Sequence, residues 1–539
     1  VRLWGFVSIV ALVLAGLVAW PARTPQRLAS PPSPPNPVAW IPAQCWAKTS
    51  ATSSGCHVCH QTPRIPNFIE DAPQQTQLSF ARAATQNPWR NLFSPPPAAE
   101  LADSAVLAWV REQNYSAGRD ADCWFRFDAE GFDRTPSGAL SGWRAFTYLP
   151  LPGMFLPTNG SDGDAMIRLP AAFREADDGK QSADVYRLNL ALLEAFIRRE
   201  DVPIKATDER PLGVDLDGDG QLATATSIAF EWPLRPERPL HYVGRAAQLD
   251  PAVDGRLVAG LFPRETEFLH TVRYFDVDAN EVGPSVRLKE LRRMRKVRWL
   301  NYAQLEENAL AEGREKTKSP NSLRHPQLGG GGAHSGTGWV LQGLIEDERG
   351  ALRPQTSEEI TSCIGCHGGV GATSDSTFSF ARKLPGEAGW RYATKTQLHD
   401  IQEPRRADGE GEYAHWLRQL GAADDFHANT EAALRFFDAG KPRPEAFAAL
   451  ARDVSLLLVP GPTRALDLNR AYLGLVRAQA FEAGRDVMLV APKVHRHVEQ
   501  DQPTGVAEPF VPGWVRHSVT VAGSTPVSTE PRTGSADRR

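Results

Sequence analysis

The sequence predicts a mainly α chain with extensive loops and a few short strands, in two regions that each carry a Cys-x-x-Cys-His motif and are separated by a long intervening segment. Three observations lead there. A chain of 539 residues is too long for one hydrophobic core. Its 43 Pro and 44 Gly require many connections and argue against a plain helix bundle. The longest patterned segments repeat their apolar residues at helical spacing. Hydrophobic residues at 41% and charged residues at 23% are ordinary for a globular protein, and a net charge of -4 argues against a nucleic-acid partner, which calls for a basic domain.

Residues 3–20, LWGFVSIVALVLAGLVAW, run 18 positions without a charge. That length suits a membrane anchor better than the shorter apolar core of a removed signal peptide. Residues 1–20 are therefore expected to anchor the chain, and cleavage would leave a soluble product. Arg2 before the segment, with Arg23 and Arg27 after it, leaves orientation undecided by charge. Residues 21–44, with PPSPPNP at 31–37, read as a stiff linker. The first folded region spans 45–320. Helices are expected at 101–113, at 183–200 with Val185, Leu188, Leu192 and Phe196 on one face, and at about 287–312 with a stripe of Leu288, Leu291, Met294 and Val297. Residues 268–278 alternate enough for a short strand. The run GGGG at 329–332 marks a connector over 321–338. The second region, 339–518, has a helix start with early acids, TSEEITS at 356–362, before its motif, and is helical through 429–483. The tail 519–539, rich in Ser, Thr and Pro, is expected to be disordered.

Four of the six cysteines fall in two motifs, Cys56-His57-Val58-Cys59-His60 and Cys363-Ile364-Gly365-Cys366-His367. Two thiols three positions apart on a helical turn can add to the vinyl groups of a porphyrin, and the adjacent His can bind its iron. A chain of this composition would show about 0.002 such motifs by chance. A thioredoxin-like redox pair does not require the following His, and a zinc site would require the two motifs to meet. On these motifs the sequence resembles c-type cytochromes. The layout, with the motifs 307 residues apart, is similar at a distance to the dihaem peroxidases and oxygenases of the bacterial periplasm. The resemblance implies two covalent haem c groups, held by Cys56, Cys59 and His60 and by Cys363, Cys366 and His367. It also implies attachment outside the cytoplasm, on the periplasmic face of the inner membrane. The partner would be a redox protein or a quinone-linked electron donor or acceptor.

The remaining axial position separates an electron carrier from an enzyme with an open haem. Met154, in LPLPGMFLPTNG, resembles the distal loop of small c-type cytochromes and is the candidate for the first haem, with Met166 a weaker one. His270, His325, His334, His399, His415 and His427 are candidates for the second. Asp215, Asp217 and Asp219 alternate before Gly220, as in a calcium loop, although the twelfth loop position is Thr226 instead of an acid. The run RLKELRRMRKVR at 287–298 offers seven bases and one acid, either to haem propionates and an acidic partner or to solvent. Cys45 and Cys123 lie outside the motifs, and the sequence leaves their pairing open. The functional expectation is an exported, membrane-anchored dihaem electron carrier. The alternative is a dihaem peroxidase or oxygenase.

Overall fold

The computed structural model describes residues 41–46, 59, 65–67, 85–115, 122–154, 164–237, 239–250, 256–279, 281–319, 327–329, 332–392, 398–406, 408–420, 429–487 and 494–497. The expected anchor and the C-terminal tail lie outside them, as does nearly all of the linker. The described strands are β1 (Phe132–Arg134), β2 (Leu140–Phe146), β3 (Ala165–Arg168), β4 (Val202–Asp208), β5 (Thr224–Ile228), β6 (Glu267–Asp278), β7 (Glu281–Lys296), β8 (Gln327–Gly329), β9 (Gly332–His334), β10 (Trp339–Glu346) and β11 (Leu352–Pro354), with two further short strands near the C-terminal helices. Nine of them form one antiparallel sheet in the order β1-β2-β3-β6-β7-β10-β9-β8, with β11 also on β10. The expectation of a mainly helical chain is therefore wrong. The extended β6–β7 hairpin is the spine of a large sheet, and only its first strand was legible as a strand.

The error has a physical source in β7. The stripe Leu288, Leu291, Met294 fits helical spacing, and the charges around it suggest a solvated helix face. In the structure this segment is a strand paired on both edges, with Glu267 opposite Arg295 on β6 and Trp339 opposite Lys296 on β10. Arg287, Lys289, Glu290 and Lys296 are held inside. Arg287 meets Glu346 at 2.7 Å, Glu290 meets Arg292 at 2.9 Å and Arg485 at 2.8 Å, and Lys296 pairs with Asp375. The helix follows later, at Tyr302–Lys318, behind a capping box of Asn301 and Gln304. The glycine-rich stretch is the β8–β9 hairpin, and β7 from before it pairs with β10 from after it.

The helices are α1 (Asp103–Val110), α2 (Ala183–Arg198), α3 (Tyr302–Lys318), α4 (Ser357–Thr361), α5 (Ile364–His367), α6 (Glu412–Leu420), α7 (Thr430–Phe436), α8 (Pro444–Leu450), α9 (Ser455–Leu458) and α10 (Pro462–Ala478). The side chain of Ser182 caps α2 and Arg199 ends it in the left-handed region at φ 62°. Leu188, Leu192 and Phe196 are buried as expected, but so are Asn189, Glu194 and Arg198, since α2 runs through the main core instead of along its surface. Asn189 serves the carbonyls of Phe173 and Val243. Helix α10 closes the far end of the hairpin. Asn469 acts there as a strand edge, accepting from the Phe275 N–H at 3.0 Å and donating to its carbonyl at 2.8 Å.

Cross-strand register sorts the sheet's faces. Ile167, Phe268 and Met294 are cross-strand neighbours on the face that packs on α2, while Met166 and Leu269 pair on the opposite face with Trp143 and Cys123. Cys123 is a free, buried thiol, so the structure contains no disulfide to it.

Helix α6 starts on Glu403, which is 3% exposed and accepts the Ala414 N–H at 2.9 Å. Burial pushes its carboxyl from the ordinary 4.5 up to about 7. A raised acid binds more protons folded than unfolded, so its stabilisation is present below about 4.5 and is lost as pH rises through about 7. Glu403→Gln is expected to flatten that part of a urea-denaturation pH profile, removing at most about 3 kcal/mol of pH dependence. A variant profile parallel to the parent's over this range contradicts the assignment.

Candidate functional site

The second motif is placed by a well-capped helix. Thr356 and Glu359 form a capping box at α4, and Arg353 grips Glu359 at 2.8 Å. The chain then runs into α5, where the His367 N–H donates to the Cys363 carbonyl at 3.0 Å. Cys363 and His367 are thus one turn apart, with Cys366 between them. All three line a cleft of about 1450 Å³, its open mouth included, whose walls are mostly apolar. Phe268, Met294 and Leu341 of the sheet form part of its lining.

Two histidines share this cleft, His367 and His270. The Nδ1 of His367 lies 2.8 Å from the Ser376 carbonyl oxygen. A carbonyl only accepts, so Nδ1 carries the hydrogen and Nε2 is left with its lone pair. Phe378 stacks on the ring at 5.7 Å. Burial drives the His367 imidazole down to about 4, which keeps it neutral. His270, on β6, repeats the arrangement, with Nδ1 2.7 Å from the Asp164 carbonyl oxygen and burial again favouring the neutral ring. The two rings are close enough for His270 to contribute to the depression at His367. The cleft therefore presents two neutral imidazoles, each with its tautomer set by a backbone carbonyl, which is how ligating histidines are oriented.

Other chemistries fit less well. Burial pushes the Cys366 thiol up to about 12, the opposite of a reactive thiolate. Among the described residues Cys59, Cys363, Cys366 and His367 do not gather within 4.8 Å, as a zinc site would require. Cys363, Cys366 and His367 instead lie along one helical turn on the wall of the cleft.

Of the first motif, Cys56 and His60 lie outside the described residues. Cys59 is described, and its carbonyl accepts the Ala372 N–H at 2.8 Å, while Asn67 donates to the Val370 carbonyl at 2.6 Å. Although the two motifs are 307 residues apart in sequence, Cys59 docks on Ala372, five residues beyond His367. Met154 packs on the same cluster as Cys59 and Phe378 and also lines the second motif's cleft. Met166 faces the other side of the sheet. Among the other candidates, His334 faces the Gly329 carbonyl in its hairpin at 3.3 Å, His415 pairs with Glu410 at 2.7 Å, and His399 is exposed. His325 and His427 lie outside the described residues. Arg292, Arg293 and Arg485 also line the cleft, each ion-paired to Glu290 or Glu267.

The acidic loop joins β4 to β5. Asp215 and Asp217 meet Glu209 with carboxylate oxygens within 4.8 Å, whereas Asp219 is outside that group. Glu209, which sequence spacing missed, is buried and accepts the Ala223 N–H at 2.9 Å. Burial, then the neighbouring Asp219, Glu209 and Asp215, raise the Asp217 carboxyl.

Among the described residues no helix is long and apolar enough to cross a membrane. No solved structure matches the chain. An uncharacterized lipoprotein of Aquifex aeolicus (strain VF5) is 29% identical over 84% of this chain and 86% of its own length. A family model described as "-like lipoprotein" matches residues 119–449, which include His270, Cys363, Cys366, His367 and the whole sheet but not the first motif. No cytochrome c family is matched, so the resemblance to c-type cytochromes, and the layout likeness to dihaem peroxidases and oxygenases, are corrected by this finding. With the match covering more than half of its length, the chain belongs to this lipoprotein family and is an exported, membrane-anchored protein.

Proposed function

We propose that this exported lipoprotein binds haem covalently through Cys363 and Cys366, with His367 and His270 as the residues that would hold its iron, and passes single electrons between redox partners at the membrane. The observation that carries the reading is the pair of neutral imidazoles in one apolar cleft beside two thiols one helical turn wide. Bound haem would supply a reversible one-electron iron couple whose potential follows its ligands and burial. The chain's own part is to hold both rings in a fixed tautomer, to stack Phe378 on His367, and to keep water from the cleft with Phe268, Met294 and Leu341. Arg292 and Arg485 could meet carboxylate side arms at the rim. Cys56, Cys59 and His60 repeat the donor set, and a second haem there would sit near the first because Cys59 docks on Ala372.

The reading predicts two haems per chain by pyridine haemochrome assay and mass spectrometry, after export by a host able to attach haem c. Cys363→Ala should lose one of them. A colourless product, or a Cys363→Ala chain that keeps both, ends the proposal. The haem at the second motif should be six-coordinate and indifferent to carbon monoxide, and His270→Ala should open it to the gas. Carbon monoxide binding at this haem in the parent protein would instead favour an open site and the enzymatic alternative.

A calcium ion is proposed as a structural ligand of the 209–223 loop, because Glu209 joins Asp215 and Asp217 as a third oxygen donor. Chelator treatment is then expected to lower the Tm of the parent protein and leave that of Asp217→Asn unchanged. Equal Tm values for the parent with calcium and with chelator would leave the loop as a turn closed by its own hydrogen bonds.

A further inference from the structure

We propose that Asp375, held by the buried ammonium of Lys296, is a positioning residue for His367 and sets how strongly that imidazole donates to a metal. The inference rests on the haem reading above and concerns the loop after the second motif. Asp375 and Ser376 are consecutive non-glycine residues in the left-handed region, at φ 50° and 63°. Side chains rarely adopt that conformation, and two in succession persist only where their surroundings hold them.

The surroundings here are specific. The Asp375 carboxylate is buried and pairs with Lys296, which is equally buried at the end of β7. It also accepts the Phe262 N–H at 2.9 Å and the Trp339 Nε1–H at 3.4 Å. The Ser376 hydroxyl bonds Thr337 from the β9–β10 turn, and Ser374 donates to the Gly260 carbonyl at 3.2 Å. Each of these contacts ties the loop to the sheet or to the segment leading into β6. Their combined result is a Ser376 carbonyl fixed 2.8 Å from His367 Nδ1.

An acceptor on Nδ1–H shifts electron density toward Nε2, making the imidazole a stronger donor that favours the oxidised metal. Loosening the carbonyl weakens that donation. Asp375→Asn therefore pushes toward a higher reduction potential.

The test is potentiometric titration and EPR of the full-length, haem-loaded chain, with far-UV circular dichroism and mass spectrometry to confirm folding and haem count. In Asp375→Asn one potential, the one missing in Cys363→Ala, is expected to move upward and the other to stay, with altered low-spin g values. Ser376→Gly keeps the ion pair and frees the backbone that aims the carbonyl. It is expected to broaden the same EPR signal, and it carries the test if Asp375→Asn does not fold. Folded, loaded variants with the parent's potentials and spectra overturn the positioning role while leaving haem binding intact. Failure of the parent chain to take up haem would instead overturn the reading beneath it.

Discussion

Strand β7 pairs with β6 and, over its second half, with β10 as well, and several of its charged side chains are buried, so those charges must be neutralised within the protein. A buried charge without a partner costs several kcal/mol, and a broken buried pair about 3–5 kcal/mol. That requirement organises much of the molecule. It draws Glu346 from β10 to Arg287, Arg485 from beyond α10 to Glu290, and Asp375 from the loop after the second motif to Lys296. The strand's cross-strand neighbours then define the cleft. Arg292 lies opposite His270, and Met294 opposite Phe268. The loop that receives His367 Nδ1 is held by the last residue of the same strand.

What could be read from the sequence follows local physics. The apolar spacing of 183–200 and the Ser182 cap mark α2, alternation marks β6, and Thr356 with Glu359 marks the helix before the second motif. Each signal is complete within a few residues. The failures lie where neighbours distant in the chain decide. A central strand with internal ion pairs has no solvent face to alternate with, and the leucines of β7 fell by coincidence on helical spacing. His270 was one of six histidine candidates, because its direction depends on pairing register. A shift of one residue would have turned the His270 ring to the opposite face of the sheet. Glu209 went unnoticed because it stands outside the alternating acids and joins them through the turn after β4.

The family match covers the sheet and the second motif together. The segment the family model matches therefore holds the sheet, while part of the cleft lining, such as Trp89 and Arg485, and the first motif lie outside it. The two motifs are brought close by a backbone contact, the Ala372 N–H donating to the Cys59 carbonyl.

The contact between Asn67 and Val370 spans 303 residues. A polypeptide exported from its N-terminus brings the first motif out long before the stretch it will lie against. Joining segments so far apart also carries a large loop-closure entropy, which defers the event to a late stage of folding. The segment around Cys59 and Asn67 thus spends the whole of translocation without the loop after the second motif, on which it finally docks.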